Sequence, residues 1–192
     1  MAEGAVGIQR PLSRRSIAIT TAKPTVVLGI DPGTAVTGYG VVSSDMRGHS
    51  TLVECGVIRT AASQPLPKRL FDIHQGISEI INRHRPDRVA VESVFYARNV
   101  RTTIVLGHAR GVILLAAECA GLEIDEYPPA EIKKVITGTG AATKAQIQFM
   151  VARLLRLKTP PQPADAADGV AAALCSCMSP HRPRPILLPK EK

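Results

Sequence analysis

The residues in this chain best suited to chemistry are four acids. Asp31 lies in V-L-G-I-D-P-G-T, Glu92 in V-A-V-E-S, and Asp165 and Asp168 in P-A-D-A-A-D-G. Asp31 and Glu92 each end an apolar run that reads as a buried strand, an uncommon place for a charge. Asp165 and Asp168 stand three apart in what the pattern makes the first turn of a helix, so they share one face. Carboxylates at that spacing repel each other unless a cation lies between them. Hard oxygen donors suit Mg²⁺ or Mn²⁺ and not zinc. Two such ions, about 4 Å apart, can clamp both the attacking and the leaving oxygen of a phosphodiester, one acidifying water and the other neutralising the departing 3′-oxygen. Taken singly, each acid except Glu92 has a simpler explanation: a turn residue before Pro32 and Gly33 for Asp31, a helix cap for Asp165, a helix-dipole partner for Asp168. Those explanations must all hold at once, whereas one metal site replaces them together.

The elements that must position these acids follow from periodicity. Residues 25–30, 37–43 and 51–58 read as three strands joined by short turns, the first turn carrying Asp31-Pro32-Gly33-Thr34. Leu70, Ile73, Ile77, Ile80 and Ile81 follow a helical period and predict an amphipathic helix over 67–84, stopped by Pro86. Residues 88–92 form a short buried strand, 100–120 a helix apolar on more than one side, 123–127 a strand and 129–136 a short helix. Thr143 and Gln146 match a capping box and open a helix to about 157; after the prolines at 160, 161 and 163 a last Ala-rich helix covers 164–177. A three-strand meander followed by βα alternation implies an α/β fold, a mixed sheet with helices on its faces: the first three strands antiparallel, the later ones parallel through right-handed crossovers. In such a sheet ligands gather beyond the carboxyl ends of neighbouring parallel strands, where Asp31 and Glu92 stand.

Composition sets the wider frame. The chain has 192 residues, 45% of them hydrophobic, and a formal net charge of +8. That fits one globular domain over 24–178 and favours a polyanionic partner, because Lys and Arg on one surface attract phosphates and release counterions. Residues 1–23 read as a flexible basic extension and 179–192 as a Pro-rich basic tail. Cys55, Cys119, Cys175 and Cys177 form no C-x-x-C pair and lie in no zinc-like spacing, so they read as free thiols of a reducing cytoplasm. No apolar run is expected to span a bilayer, and no membrane partner is expected.

Six stretches then resemble the RuvC family of Holliday-junction resolvases. They are G-I-D-P-G-T (29–34) with T-G-Y-G-V-V (37–42), V-E-S-V-F-Y-A-R-N (91–99), L-G-H-A-R-G-V (106–112), T-G-T-G-A-A-T-K (137–144) and D-A-A-D-G-V-A-A-A (165–173). The resemblance covers about residues 25–178. It implies a ribonuclease H-like fold. It also implies an endonuclease that resolves four-way DNA junctions by paired symmetric nicks in recombination and repair, leaving 5′-phosphate and 3′-OH ends. The resemblance makes Asp31, Glu92, Asp165 and Asp168 the catalytic metal ligands for two Mg²⁺ or Mn²⁺ ions. Some family members carry His at the position of Asp165, but this chain keeps a carboxylate there, so no His base is implied. It further implies a homodimer and a branch-migration motor partner of the RuvA and RuvB type.

On the same footing Phe95, with Tyr96 beside it, falls where the family places an aromatic near the junction's bases. An aromatic just after Glu92 in so aromatic-poor a chain favours stacking on an unpaired base over simple core packing. Lys133 and Lys144 resemble family lysines that approach the DNA backbone, the alternative being a solvated helix end, which is the preferred reading of Lys134. The loop at Gly138-Thr139-Gly140 is expected to offer backbone N–H groups to a phosphate. Arg98, Arg101 and Arg110 are candidates for the DNA path, Arg110 equally for a structural ion pair. The apolar 100–120 helix is the candidate dimer interface, unless it is wholly buried.

Three other functions remain open. An actin-like ATPase or sugar kinase shares the D-x-G-T turn but needs a second domain and phosphate loop. A catalytically inactive DNA-binding relative would have lost carboxylates. A nuclease acting on RNA or other branched substrates is separated only by geometry.

Overall fold

The computed structural model describes residues 23–93 and 100–179. The expected basic extension and tail therefore lie, but for Lys23 and Ser179, outside the described residues. Among the described residues the order is β1 (Thr25–Asp31), β2 (Val36–Ser44), β3 (Ser50–Arg59), α1 (Leu66–His84), β4 (Arg88–Glu92), α2 (Val100–Cys119), β5 (Glu123–Tyr127), α3 (Pro129–Thr137), α4 (Lys144–Leu154) and α5 (Ala164–Met178). The strands form one sheet in the order β3-β2-β1-β4-β5. β1 pairs antiparallel with β2 and parallel with β4, β2 antiparallel with β3, and β4 parallel with β5, as the pattern predicts.

Side-chain alternation divides the core into two layers. Leu28, Ile30, Val41, Val89 and Val91 face α1 and α2, joining Ile73, Ile77 and Ile113. Val27, Val42, Ala90 and Tyr127 face the other way, against α3, α4 and the Ala-rich α5. A fully buried Leu or Ile contributes about 2 kcal/mol, so each layer is a substantial source of stability. Asp31 is two residues beyond Gly29 and Glu92 two beyond Ala90, which puts both acids on the α5 face.

α5 is held unusually close to that face. A Cβ on Gly38 would sit 1.9 Å from the Asp165 carbonyl oxygen, and one on Gly169 would sit 2.5 Å from the Tyr39 Cα. Gly29 and Gly40 meet α5 backbone in the same way. The alternate glycines of β2 thus let a helix lie almost backbone to backbone on β1 and β2.

Two expectations change. α4 ends at Leu154, about three residues early, because Arg156 adopts φ 54°. The Leu157 N–H donates to the Ala152 carbonyl at 2.8 Å and the Arg156 N–H to the Arg153 carbonyl at 3.2 Å, the paired bonds of a Schellman ending. α2, contrary to expectation, is by length and composition apolar enough to cross a membrane. Its place in the fold argues for a helix of the core layer: Ala109, Ile113, Ala116 and Ala117 are buried, and Arg110 pairs with Glu126 of β5. The helix is not wholly buried, since Val100, Ile104 and Leu115 are more than half exposed.

Candidate active site

The β1–β4 ladder pairs Ile30 with Val91, so the next residues, Asp31 and Glu92, stand side by side at the carboxyl ends of two parallel strands. The β1–β2 ladder pairs Asp31 with Gly38, over which the Asp165 carbonyl rests. The first turns of α5 therefore hang directly above Asp31. Carboxylate oxygens of Asp31, Asp165 and Asp168 lie within 4.8 Å of one another. Glu92 stands outside that group of three but lines the same cavity of about 230 Å³ as Asp31 and Asp168, together with Lys133, Lys144, Ile132 and Ile147.

Asp165 lies in the first turn of α5, whose N-cap is Pro163 with no side-chain cap bond. The capping explanation for Asp165 therefore fails. Asp168, the fifth residue of α5, lies just past the first turn in which the pattern places it. The turn after Asp31 is braced from below: Thr37 Oγ1 donates to the Gly33 carbonyl at 2.6 Å, and the Thr60 hydroxyl donates to the Thr34 carbonyl while accepting from Arg69 Nε at 2.9 Å.

Burial, then the charges of Glu92, Asp168 and Asp165, push the Asp31 carboxyl up to about 7. Burial and then Asp168 do the same to Glu92, also to about 7. Lys144 opposes both shifts, and its ammonium lies 2.7 Å from Asp168 and 3.7 Å from Asp165. The hydrogen bond that Lys144 donates to Asp168 raises the Lys144 pKa. A cluster of carboxylates with one half-exposed ammonium is negative in excess, and its donors are all hard oxygens. It fits a divalent cation such as Mg²⁺.

The raised pKa values fix a pH dependence. In the metal-free folded chain Asp31 and Glu92 keep their protons up to about pH 7, whereas their ordinary values are 3.8 and 4.5. Between about pH 4 and 7 the folded state binds more protons than the unfolded one, so this contribution to stability is full below pH 4 and is lost as pH rises through 7. Compared with the Asp31→Asn/Glu92→Gln double variant, the metal-free protein should lose Tm from pH 5 to 8. Saturating Mg²⁺ should restore more at pH 8 than at pH 5, because the ion competes with those protons. Parallel Tm–pH curves for the two proteins would count against this electrostatic account.

The other predicted residues divide. Lys133 and Lys144 line the cavity. Arg101 lies in a shallow cleft with Thr34 and Thr102 beside the β1–β2 turn. Arg110 makes the structural ion pair, its Nε 2.8 Å from Glu126. Phe95, Tyr96 and Arg98 fall outside the described residues. In the Gly138 loop the Gly138 N–H donates to the Lys134 carbonyl and Thr139 N–H to Thr137 Oγ1, and after it Ala141 N–H donates to Thr139 Oγ1. Two of the three loop amides are therefore occupied, which narrows the expected offer to a phosphate to Gly140. Direct pairing of Lys144 with Asp165 and Asp168 was not visible in the sequence, although the capping box that starts α4 at Lys144 was.

A mixed sheet in this strand order, with carboxylates gathered at the ends of β1 and β4 and the start of α5, defines a ribonuclease H-like fold with a metal-dependent phosphodiesterase type of site. The family model described as crossover junction endodeoxyribonuclease RuvC matches residues 27–176. The RuvC of Pelotomaculum thermopropionicum is 46% identical over 151 residues, which is 78% of this chain and 91% of that protein. That of Rubrobacter xylanophilus is 48% identical over 157 residues, 82% and 87% of the two chains. Among solved structures, T. thermophilus RuvC in complex with Holliday junction substrate superposes with a TM-score of 0.76 at 36% identity, covering 80% of this chain and 93% of that one. The yeast mitochondrial Holliday junction resolvase, at 12% identity and a TM-score of 0.60, shares the fold. The chain belongs to the RuvC family of crossover junction endodeoxyribonucleases.

Proposed function

We propose that this protein resolves four-way DNA junctions by metal-dependent hydrolysis of phosphodiesters, with Asp31, Glu92, Asp165 and Asp168 as the catalytic, metal-holding acids. The observation that carries the proposal is the convergence of these four acids from three separate segments on one end of one sheet face. A bound pair of Mg²⁺ or Mn²⁺ ions supplies charge against the phosphate oxygens and makes water a nucleophile at neutral pH.

The chain's own residues do the rest. Asp31 and Glu92 are fixed on β1 and β4, while Asp165 and Asp168 ride on α5, so the donor set is preorganised by the sheet-to-helix contact. Lys144 and Lys133 flank the cavity with positive charge suited to the phosphate backbone, and Arg101 extends that charge past the β1–β2 turn. The family resemblance adds Phe95, Tyr96 and Arg98, which lie outside the described residues, to the DNA-binding set, with Phe95 the residue for an unpaired base. Without metal, the excess negative charge of the acids repels a phosphate, so DNA engagement at the scissile position depends on the cation.

A homodimer presents two such sites to opposed strands of a two-fold junction. The exposed apolar residues Val100, Ile104 and Leu115 of α2 make that helix the candidate interface. A branch-migration motor of the RuvA and RuvB type is the partner the family implies. The cysteines among the described residues are all free thiols, which suits the reducing cytoplasm.

Incubation of the purified protein with Mg²⁺ or Mn²⁺ and end-labelled junction should give paired nicks with 5′-phosphate and 3′-OH ends, and little cutting of linear duplex of the same sequence. The same preparation should sediment as a dimer at micromolar concentration. Equal cutting of junction and duplex rules out junction selectivity, and a monomer in sedimentation rules out the dimer.

A further inference from the structure

α5 carries half of the acid cluster at one end and a buried polar network at the other. Arg88 Nε donates to Ser176 Oγ at 2.8 Å, and Arg88 Nη2 donates to the Ser176 carbonyl at 3.2 Å. Ser176 Oγ in turn donates to Asp125 Oδ2 at 3.0 Å, with Arg88 Nε 3.4 Å from the same carboxylate oxygen. Asp125 and Ser176 are both at least 97% buried. An ion pair in such surroundings adds little net stability over apolar packing of the same volume, so stability alone is a weak reason for it.

Its placement suggests a different role. Arg88 and Glu92 are the first and last residues of β4 and share the α5 face, since both are an even number of positions from Ala90. Ser176 lies eight residues, about 12 Å, along α5 from Asp168. Helix and strand are thus tied at one end by Arg88–Ser176–Asp125 and meet at the other through Asp168 and Glu92 in one cavity. The Ser176 carbonyl belongs to the last turn of α5 and lacks an intrahelical partner, and a guanidinium there also complements the helix dipole. The stretch between lies close on the sheet, Gly169 and Ala173 over Gly29 and Val170 over Gly40, contacts that fix the depth of α5.

We propose that Arg88, Asp125 and Ser176 are positioning residues that set the longitudinal register of α5 on the sheet, and so the spacing of Asp165 and Asp168 from Asp31 and Glu92. The inference rests on the metal-site reading above. The small-residue interface sets the height of the helix, and the planar guanidinium fork sets its slide. Residues that act on a site without touching its ligands typically alter binding by about 2- to 30-fold.

The test is Mn²⁺ titration of DNA-free protein by electron paramagnetic resonance, with Tm and metal-free junction binding measured alongside. Ser176→Ala should weaken Mn²⁺ binding about tenfold and leave metal-free junction affinity within about twofold. Arg88→Lys, which keeps the charge and loses the fork, should do the same and answers the question if Ser176→Ala does not fold. Glu54→Gln is the control. Glu54 accepts from Tyr39 at 2.8 Å and pairs with His84 at 2.9 Å and Arg83 at 3.1 Å, in a network whose side chains lie on the α1 face of the sheet, opposite α5. It should lower Tm and leave Mn²⁺ binding unchanged. Unchanged Mn²⁺ affinity in the Ser176 and Arg88 variants overturns the proposal, as does a loss in Glu54→Gln that tracks Tm equally. If the unsubstituted protein binds no Mn²⁺, the metal-site reading itself fails and the register role falls with it.

Discussion

Asp31→Asn and Glu92→Gln should each reduce junction cleavage by about a thousandfold or more while leaving junction binding intact. A metal-held carboxylate underlies several kcal/mol of transition-state charge stabilisation, and about 4 kcal/mol corresponds to a factor of about a thousand. Neither substitution should harm the fold. Both acids are held at about 7 by burial and by neighbouring negative charge, so in the absence of metal each is a source of electrostatic strain. A neutral amide of the same shape relieves it. The metal-free variants should therefore melt at or above the Tm of the unsubstituted protein at pH 8. Their junction binding in EDTA should be equal or tighter, because a negative charge facing a polyanion has been removed. That combination of higher stability, kept affinity and lost cutting is hard to obtain by misfolding. Full cleavage by either variant refutes the assignment of the acids, and parallel loss of binding and cutting refutes the division of labour between them and the basic residues.

What the sequence could and could not disclose follows a physical divide. β1 and β4 were legible because a strand buried on both faces is a continuous apolar run, and an acid at its end interrupts the pattern. α4 was legible at its start through Thr143 and Gln146, whose reciprocal bonds form the capping box. Its end was not, because the left-handed residue there is Arg156, not a glycine or asparagine. The acids could be named one by one, but their convergence depended on which strands are neighbours, and only the ladder pairing Ile30 with Val91 fixes that. The tie between Arg88 and Ser176 spans 88 positions and leaves no periodic trace. The Lys144 ammonium beside Asp168 and Asp165 is a contact of the same kind, invisible until α4 and α5 are packed. The exposed part of α2 shows the converse: its all-round apolar pattern predicted either burial or an interface, and the structure gives one buried stripe with Ile104 and Leu115 left outside.

The alternate glycines of T-G-Y-G have no role legible in the sequence, and the structure supplies one with a large expected effect. Gly38→Ala should reduce cleavage about 100-fold, less than the loss of an acid and by a different route. The new Cβ would lie 1.9 Å from the Asp165 carbonyl oxygen and 2.6 Å from its carbonyl carbon, both backbone atoms of a helix. No flexible side chain can yield, so α5 must lift from the sheet by more than 1 Å to restore an ordinary contact. Overpacking of this kind costs about 1–3 kcal/mol. The displacement falls on Asp165 itself and on Asp168 one turn away, whereas Asp31 and Glu92 stay with the strands. A misplacement of about 1 Å in a catalytic constellation can cost about 100-fold in rate. Gly169→Ala pushes from the other side, its Cβ 2.5 Å from the Tyr39 Cα, and should reproduce both losses. Unlike the acid variants, these proteins should show a lower Tm at every pH and weaker Mn²⁺ binding, with junction binding in EDTA retained. Thermal melts and cleavage rates at saturating Mg²⁺ decide the matter: a Gly38→Ala protein with unchanged Tm and full activity would mean that α5 does not lie on β2 as closely as described, and that the acids are brought together by some other contact.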